Sequence, residues 1–207
     1  MPKFLALSGF HNSGKTTVGT YLVLRLLEKG YKVGVVKATK EHSELTDKPG
    51  SDTFRYKKAG AKQVALFQGD RMTLFVEHLP TERLKVLSLF ERLFWDLDLV
   101  IFEGFKEWSE IPKIWIKKDE EGLPEGIENL LFVAKAEEKE RIFHFVEDYL
   151  KEQTSLDKVK IFVNDVEVSL KPHLKLLCQN ILFGILASLK GVPKIEEIRN
   201  VEVLIKK

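Results

Sequence analysis

A glycine-rich octapeptide near the amino terminus restricts the local fold more tightly than any other part of the chain. Residues 9–16 read GFHNSGKT, which fits the phosphate-binding loop pattern G-x-x-x-x-G-K-[ST] at every fixed position. The apolar run 4–7 before it is typical of a buried strand, and apolar residues at helical spacing follow it from Val18 to Leu27. Because strand, loop and helix occur in the order that the pattern requires, we predict a site for a nucleoside triphosphate here.

The fixed residues of this loop each have a chemical reason to be there. Gly9 and Gly14 allow the backbone to curl so that successive N–H groups point at a phosphate, and the helix that follows adds the positive end of its dipole. Lys15 can reach the β- and γ-phosphates, and the hydroxyl of Thr16 can ligate Mg²⁺. The loop alone leaves open whether the chain is a hydrolase, a kinase or a switch.

A phosphate-binding loop needs a nearby carboxylate to hold the magnesium shell, and this carboxylate is expected at the end of another central strand. The apolar run 97–102 predicts such a strand, with Asp98 at its beginning and Glu103 directly after it. Ligands of an open parallel sheet lie outside the carboxyl ends of its strands. We therefore assign Glu103, rather than Asp98, to the magnesium shell or to orienting the attacking water.

Composition narrows the class of protein. The chain has 207 residues, 44% of them hydrophobic, and a formal net charge of +2, so nothing in its charge demands a nucleic-acid or membrane partner. Its single cysteine, Cys178, excludes an intramolecular disulfide and thiolate-rich zinc sites. With no secretory signal at the amino terminus and no apolar stretch of bilayer length, we expect a soluble, cytoplasmic protein.

Alternating strand and helix signals predict an α/β fold of the three-layer phosphate-loop NTPase type, with a mostly parallel sheet. We predict a nucleotide-binding domain at 1–152 and a C-terminal extension at 153–207, built as hairpin, helix and strand. The predicted elements of the first domain after the loop helix are strands at 31–36, 64–67, 72–76, 97–102, 114–116 and 130–133, and helices beginning near Ser51, Thr81 and Glu137. The predicted extension comprises a hairpin around Asn164–Asp165, an apolar helix at 172–189 and a strand at 201–205. We expect this helix to pack as core, with a dimer contact as the alternative.

The polar segment 37–52 should emerge at the same sheet edge as the phosphate loop, because it follows the second strand. Its side chains could contact phosphates, ligate magnesium or bind a second anionic substrate, although solvated surface is the default interpretation for most of them. They are Lys37, Thr39, Lys40, His42, Asp47, Lys48 and Asp52. His42 alone is no metal site, since no partner ligand stands at recognisable spacing.

Three segments together resemble the MobB family, the nucleotide-binding partner in molybdopterin-guanine dinucleotide biosynthesis. They are GFHNSGKTT at 9–17, DKPGSDTFRYKKAGA at 47–61 and LVIFEGFK at 99–106. The middle segment is the most specific, because a generic phosphate-loop kinase has no reason to carry it. The resemblance covers roughly residues 3–150, and the tail is similar to the C-terminal extension of some longer members.

The resemblance implies GTP and Mg²⁺ as ligands, slow GTP hydrolysis at most, a homodimer, and assistance to the guanylyltransferase MobA, with molybdopterin as a further possible partner. Catalytic roles fall on Lys15 and Glu103, and metal ligation on Thr16 and Glu103. The residues implied in nucleotide binding are Gly9, Asn12, Ser13, Gly14, Lys15, Thr16, Thr17, Lys48 and Asp52. Family members often carry a histidine-rich stretch where this chain reads KATKEH at 37–42, so the chain departs from the family pattern there and the resemblance assigns no pterin or metal role to these residues. The Asn-Lys-x-Asp motif that reads guanine is absent, so the preference for GTP rests on the resemblance.

Two alternatives remain open from the sequence. A small-molecule kinase would use the same loop, but Arg71, Arg83, Arg92 and Arg141 do not cluster as a lid signature. A non-catalytic binding module would use the nucleotide structurally and dock a partner on the apolar tail helix.

Overall fold

The computed structural model describes residues 2–39, 47–118, 122–123, 125–152, 161–163, 166–192 and 194. The chain divides into two compact units, Met1–Glu152 and Gln153–Lys207. The first contains β1 (Lys3–Ser8), α1 (Lys15–Glu28), β2 (Val33–Lys37), α2 (Asp52–Lys58), β3 (Gln63–Gln68), β4 (Arg71–Val76), α3 (Arg83–Leu93), β5 (Leu99–Glu103), β6 (Lys113–Lys117), β7 (Leu130–Lys135) and α4 (Lys139–Lys151). The second contains β8 (Ile161–Val163), β9 (Val166–Val168) and α5 (Pro172–Ser188).

A parallel five-stranded sheet in the order β2-β5-β1-β6-β7 forms the centre of the first unit. The two strands with the most continuous apolar sequence, β1 and β5, lie side by side in its interior. Burial on both faces explains why they read as unbroken apolar runs rather than as alternating patterns. The predicted α/β phosphate-loop architecture is therefore confirmed.

Alternate residues of the central strands build two separate cores. Leu5 and Leu7 of β1 point to the face covered by α1 and α4, together with Leu99 and Ile101 of β5. Ala6 of β1 belongs to the opposite face, which is covered by α3 and by the segment between β5 and β6. The side-chain period of two along each strand thus produces the three layers.

A separate antiparallel hairpin, β3–β4, stands outside the central sheet. Its turn falls at Gly69–Asp70, as the sequence predicts. The adjoining helix α2 begins where predicted, because the side chain of Ser51 accepts a hydrogen bond of 3.2 Å from the backbone N–H of Phe54.

The buried face of α4 agrees only in part with the one that the sequence favours. Periodicity predicts Ile142, Phe145, Val146 and Tyr149 as inward residues, and Ile142 and Val146 are buried. Phe143 is buried as well, whereas Phe145 and Tyr149 are only partly buried at the margin of the core. The chain enters α4 through a 3-10 turn at Ala136–Glu138, so the α-helix begins two residues later than predicted. The face that is buried is set by tertiary packing rather than by periodicity alone.

In the second unit, β8 and β9 pair antiparallel, and α5 follows from Pro172, as predicted. The expectation that α5 packs as core is wrong, because none of its side chains is buried and Leu177, Ile181 and Ile185 are about half exposed. Among the described residues of this unit, the two short strands β8 and β9 offer too little surface to enclose the helix. The hairpin turn at 164–165 and the predicted strand at 201–205 lie outside the described residues. Within the described part of the chain, no helix combines the length and apolarity that crossing a membrane demands.

Candidate functional site

The carboxyl edge of the parallel sheet gathers polar residues from every strand. The strands end at Ser8, Lys37, Glu103, Lys117 and Lys135. In parallel α/β sheets this edge is where ligands bind. The phosphate-binding loop begins directly after β1 and therefore lies at this edge.

Two glycines of the loop are required by its close packing. A Cβ at Gly9 would lie 2.4 Å from the backbone oxygen of Ile116, which cannot move without disturbing β6. Gly14 caps α1 in the left-handed region at φ 84°, and a Cβ there would lie 2.6 Å from the Cβ of Ala136. The loop is therefore held between its own helix and the carboxyl ends of β6 and β7, in a backbone shape that side chains would destroy.

The lysine of the loop folds back over it. Nζ of Lys15 donates to the backbone oxygen of Phe10 at 2.5 Å and lies 3.5 Å from Oγ of the buried Ser13. The ring of Phe10 packs edge-on against Trp115 of β6, with ring centroids 5.4 Å apart. The ammonium group thus lies against the backbone of the phosphate-binding loop, where it would contact a bound anion.

The amino terminus of α1 has no negative charge of its own. Its first turn contains no acidic residue, and its cap is a glycine without a side-chain hydrogen bond. The first amides of a helix have no partner within the helix, and together with the dipole they favour an anion. By contrast, α2 begins with Asp52 behind a serine cap. Of these two helices, α1 is the one prepared for a phosphate.

Glu103 meets the loop directly. The hydroxyl of Thr16 donates to Oε1 of Glu103 at 2.7 Å, and Nζ of Lys37 lies 3.1 Å from the same oxygen. The side chain of Glu103 is only 13% exposed, so its charge relies on these two partners. One carboxylate oxygen therefore joins the loop to the end of β2.

The backbone after Glu103 is fixed in an unusual conformation. Gly104 and Phe105 both have positive φ, at 102° and 45°. The buried hydroxyl of Ser8 donates to the backbone oxygen of Gly104 at 2.6 Å, and the N–H of Gly104 donates to the oxygen of Leu7 at 3.0 Å. These bonds anchor the turn beside β1, and they hold the carboxylate of Glu103 toward the loop.

The residues present fit a magnesium-bound nucleotide. A hydroxyl and a carboxylate are the oxygen ligands that Mg²⁺ takes from phosphate-loop proteins, and they are already in contact here. The glycine cradle, Lys15 and the amide-rich helix end supply positive potential for phosphates. Among the described residues, no group of three or more His, Cys, Asp or Glu side chains forms a separate metal site.

The other two predicted binding residues lie at the start of α2. The backbone oxygen of Lys48 accepts from the N–H of Ser51 at 3.1 Å, and Asp52 pairs with Arg55 at 3.8 Å. Both side chains are exposed, and these contacts stay within their own loop and helix. The predicted contact of Lys48 and Asp52 with a nucleotide remains a prediction, and Lys40 and His42 lie outside the described residues.

Asp47, which precedes this loop, ties it to the hairpin. Its Oδ1 accepts from the hydroxyls of Ser51 and Thr53 at 3.1 and 3.0 Å, and its Oδ2 lies 3.2 Å from Nζ of Lys57. That ammonium also covers the ring of Phe75 in β4, 4.3 Å from its centroid. Burial opposes ionisation, yet the Lys57 ammonium and the two hydroxyls outweigh it and hold the pKa of Asp47 below its usual value.

Sequence reasoning misses one residue of the site and the partner of another. Lys37 is among the candidates of the segment 37–52, but its pairing with Glu103 follows only once β2 is known to lie beside β5, which makes the two residues register partners. Ser8 looks like the last residue of an apolar strand, and only the fold brings its hydroxyl to Gly104. The available signal was position alone, because both residues end strands at the predicted ligand edge.

Comparisons with known proteins agree on one family. Residues 4–136 match the sequence profile of the family described as molybdopterin guanine dinucleotide synthesis protein B. This region includes the phosphate-binding loop, Glu103 and most of the first compact unit.

Individual relatives carry the name of the same family. The molybdopterin-guanine dinucleotide biosynthesis adapter protein of Haemophilus influenzae is 37% identical over 133 residues, which cover 63% of this chain and 72% of that protein. A putative adapter protein of the same name from Methanocaldococcus jannaschii is 38% identical over 124 residues, 58% of this chain and only about half, 49%, of the relative. A crystal structure of molybdopterin-guanine biosynthesis protein B (MobB) superposes with a TM-score of 0.53 and 25% identity, covering 72% of this chain and 99% of that one.

Proposed function

The chain belongs to the molybdopterin guanine dinucleotide synthesis protein B family, and from this premise we propose that it is a GTP-binding adapter protein of molybdopterin-guanine dinucleotide biosynthesis. In this proposal it assists the guanylyltransferase MobA, works in the cytoplasm and turns GTP over slowly at most. The observation that carries the nucleotide part is the 2.7 Å hydrogen bond between Thr16 and Glu103, which joins the phosphate-binding loop to a carboxylate at the ligand edge of the sheet.

The binding step follows from charge and geometry. The amides of the first turn of α1 and the ammonium of Lys15 hold the phosphates, and Asn12, Ser13 and Thr17 belong to the same loop and helix start. Thr16 and Glu103 would hold Mg²⁺, which would supply positive charge to neutralise the phosphate oxygens. We assign the guanine preference to family membership, and Lys48 and Asp52 to the rim of the same site.

Slow turnover is consistent with the way the site is built. The Thr16 hydroxyl and the Lys37 ammonium both engage the same oxygen of Glu103, so this carboxylate is held by two partners and is not placed as a free general base. A group held in this way orients ligands more readily than it removes a proton. We therefore propose that binding, rather than fast hydrolysis, is the useful property of the loop.

We also propose that the protein is a homodimer, and that the β3–β4 hairpin supplies the contact. Paired residues of an antiparallel ladder share a face, so Phe67 and Met72 lie together with Leu74. These side chains are 74%, 65% and 36% exposed, and they lie on the face opposite Phe75, which Lys57 of α2 covers. An isolated hairpin is marginal in water, and a second copy of the same apolar face would bury it symmetrically.

Reconstitution tests the proposed function. MobA, molybdopterin, Mg²⁺ and limiting GTP are combined with and without this protein, and formation of the dinucleotide is measured. We expect the wild-type protein to raise the yield, and the Lys15→Ala variant, which lacks the phosphate-binding ammonium, to raise it less. Identical yields with and without the wild-type protein would contradict the adapter role, and a phosphorylated metabolite instead of the dinucleotide would favour a kinase.

A further inference from the structure

Lys37 and Glu103 form an ion pair at the carboxyl edge of the sheet, beside the phosphate-binding loop. They are register partners at the carboxyl ends of β2 and β5, and Nζ lies 3.1 Å from Oε1. The same oxygen accepts the hydrogen bond from Thr16, the residue that the loop pattern assigns to magnesium. The ammonium of Lys37 therefore occupies the same carboxylate oxygen that the hydroxyl of Thr16 contacts, where a metal ligated by both residues would compete with it.

We propose that Lys37 recognises the γ-phosphate of the triphosphate. When a magnesium-bound triphosphate enters the loop, the Lys37 ammonium releases Glu103 and pairs with that terminal phosphate instead. This inference rests on the proposed nucleotide binding and adds a residue and a specificity to it. A divalent cation and an ammonium group cannot share one carboxylate oxygen without strong repulsion. The ammonium must then leave Oε1, and in this proposal the incoming terminal phosphate, rather than the second oxygen of Glu103, becomes its partner.

The structure gives the ammonium both the freedom and the direction for this exchange. The side chain of Lys37 is 62% exposed, whereas Glu103 is 13% exposed, so the lysine is the partner that can move. Lysine carries its charge on a flexible stem with rotatable donors. Because β2 ends at the same sheet edge as β1, the terminal phosphate beyond Lys15 is the anion that the released group meets.

The opposite end of the same strand offers a matched control. Lys32 precedes β2, pairs with Asp96 at 3.7 Å and is 63% exposed, almost the same exposure as Lys37. Exposed ion pairs of this kind contribute little to stability. A difference in nucleotide affinity between Lys37→Met and Lys32→Met is therefore due to the position of Lys37 at the ligand edge of the sheet. The loss of an exposed lysine as such is common to both variants.

The experiment compares the wild-type protein with the variants Lys37→Met, Lys37→Arg and Lys32→Met. For each protein it measures the dissociation constants of GTP and GDP. It also measures the Mg²⁺ concentration at which GDP binding is half-maximal. We expect Lys37→Met to weaken GTP by roughly tenfold more than GDP, since one charge-assisted hydrogen bond to the terminal phosphate is lost. The half-saturating Mg²⁺ concentration for GDP should fall in the same variant, because the competing ammonium is gone. Lys37→Arg should keep most of the GTP preference, and Lys32→Met should match the wild type.

The two effects of Lys37→Met have opposite signs, which a variant that is merely misfolded cannot produce. Equal weakening of GTP and GDP, or an unchanged GTP preference in folded Lys37→Met, would overturn the role of Lys37 while leaving nucleotide binding intact. Loss of the GTP preference in Lys37→Arg that matches its loss in Lys37→Met would also overturn it. A wild-type protein that binds neither nucleotide would overturn the proposed function and this inference together.

Discussion

Thr16 and Glu103 are 87 residues apart in the chain, yet the hydroxyl of one lies 2.7 Å from a carboxylate oxygen of the other. The contact joins the first turn of α1 to the end of β5. It arises because β1 and β5 are parallel neighbours in the sheet and end at the same edge. The phosphate-binding loop and its carboxylate are therefore brought together by the order of the strands.

Glu103→Gln should remove most of the contribution of Mg²⁺ to nucleotide affinity. The amide keeps the shape of the side chain but loses the negative charge that a divalent cation requires. We expect the dissociation constant of Mg²⁺–GTP to rise by roughly 10- to 100-fold, and the values in EDTA to differ little from the wild type.

The matched control for this variant is Glu107→Gln, four residues further along the chain. The side chain of Glu107 is 75% exposed and lies near Lys106, so its charge is in solvent. It should bind Mg²⁺–GTP like the wild type. If Glu103→Gln shows the wild-type dependence on Mg²⁺, Glu103 does not belong to the metal shell.

Comparing Gly14→Ala with Gly30→Ala distinguishes two effects of adding a side chain. One is a steric effect on the shape of the loop, and the other is the loss of stability at any residue in the left-handed region. The two glycines flank α1 at φ 84° and 85°, but only a Cβ at Gly14 meets an obstacle, the Cβ of Ala136 at 2.6 Å. Both variants should lose about 1 kcal/mol or more of unfolding free energy. Only Gly14→Ala should also lose GTP affinity, as measured by titration, and equal affinities in the two variants would refute the steric account of the loop.

Asp47→Asn should make the free energy of unfolding depend less steeply on pH on the acid side. The pKa of Asp47 is lower in the folded protein than in the unfolded chain, so its contribution is complete above the unfolded value of about 4 and is lost as the pH falls through the folded value. Denaturant unfolding between about pH 6 and pH 3 measures this slope. Asp70→Asn, in the exposed hairpin turn where Asp70 is 87% exposed, is the charge-matched control. A slope in Asp47→Asn as steep as that in the control would contradict the assignment.

Phe67→Asp should weaken self-association if the open hairpin face is the dimer contact. The side chain is 74% exposed, and a carboxylate there would have to be buried against its symmetric copy. We expect sedimentation to show a shift toward monomer at protein concentrations where the wild type is dimeric. Leu24→Asp on α1, where the leucine is 57% exposed, introduces the same charge elsewhere and should leave the association unchanged.

Local signals were sufficient for the parts of the site that are continuous in the chain. The strand, loop and helix around residues 9–16 follow from glycine positions and apolar periodicity, and the place of Glu103 follows from counting along one buried strand. These features depend on neighbours within a few residues. Pattern reasoning is strongest in that range.

Features that depend on strand order were not accessible in this way. The role of Lys37 beside Glu103 requires β2 to lie next to β5, although 61 residues lie between the end of β2 and the start of β5 in the chain. The burial of Phe143 in place of Phe145 depends on how α4 meets α1 and the sheet. The exposure of the apolar helix α5 shows that hydrophobicity alone does not determine what covers a helix.

The most direct test of the account is the affinity of Lys15→Ala for Mg²⁺–GTP, measured by titration against the wild type and against Lys29→Ala at the exposed other end of α1. Removing the ammonium from the loop should raise the dissociation constant by roughly one to two orders of magnitude, because a charge-assisted contact with the phosphates is lost. Lys29→Ala should bind like the wild type. An unchanged dissociation constant in folded Lys15→Ala would contradict the central claim that residues 9–16 bind the triphosphate.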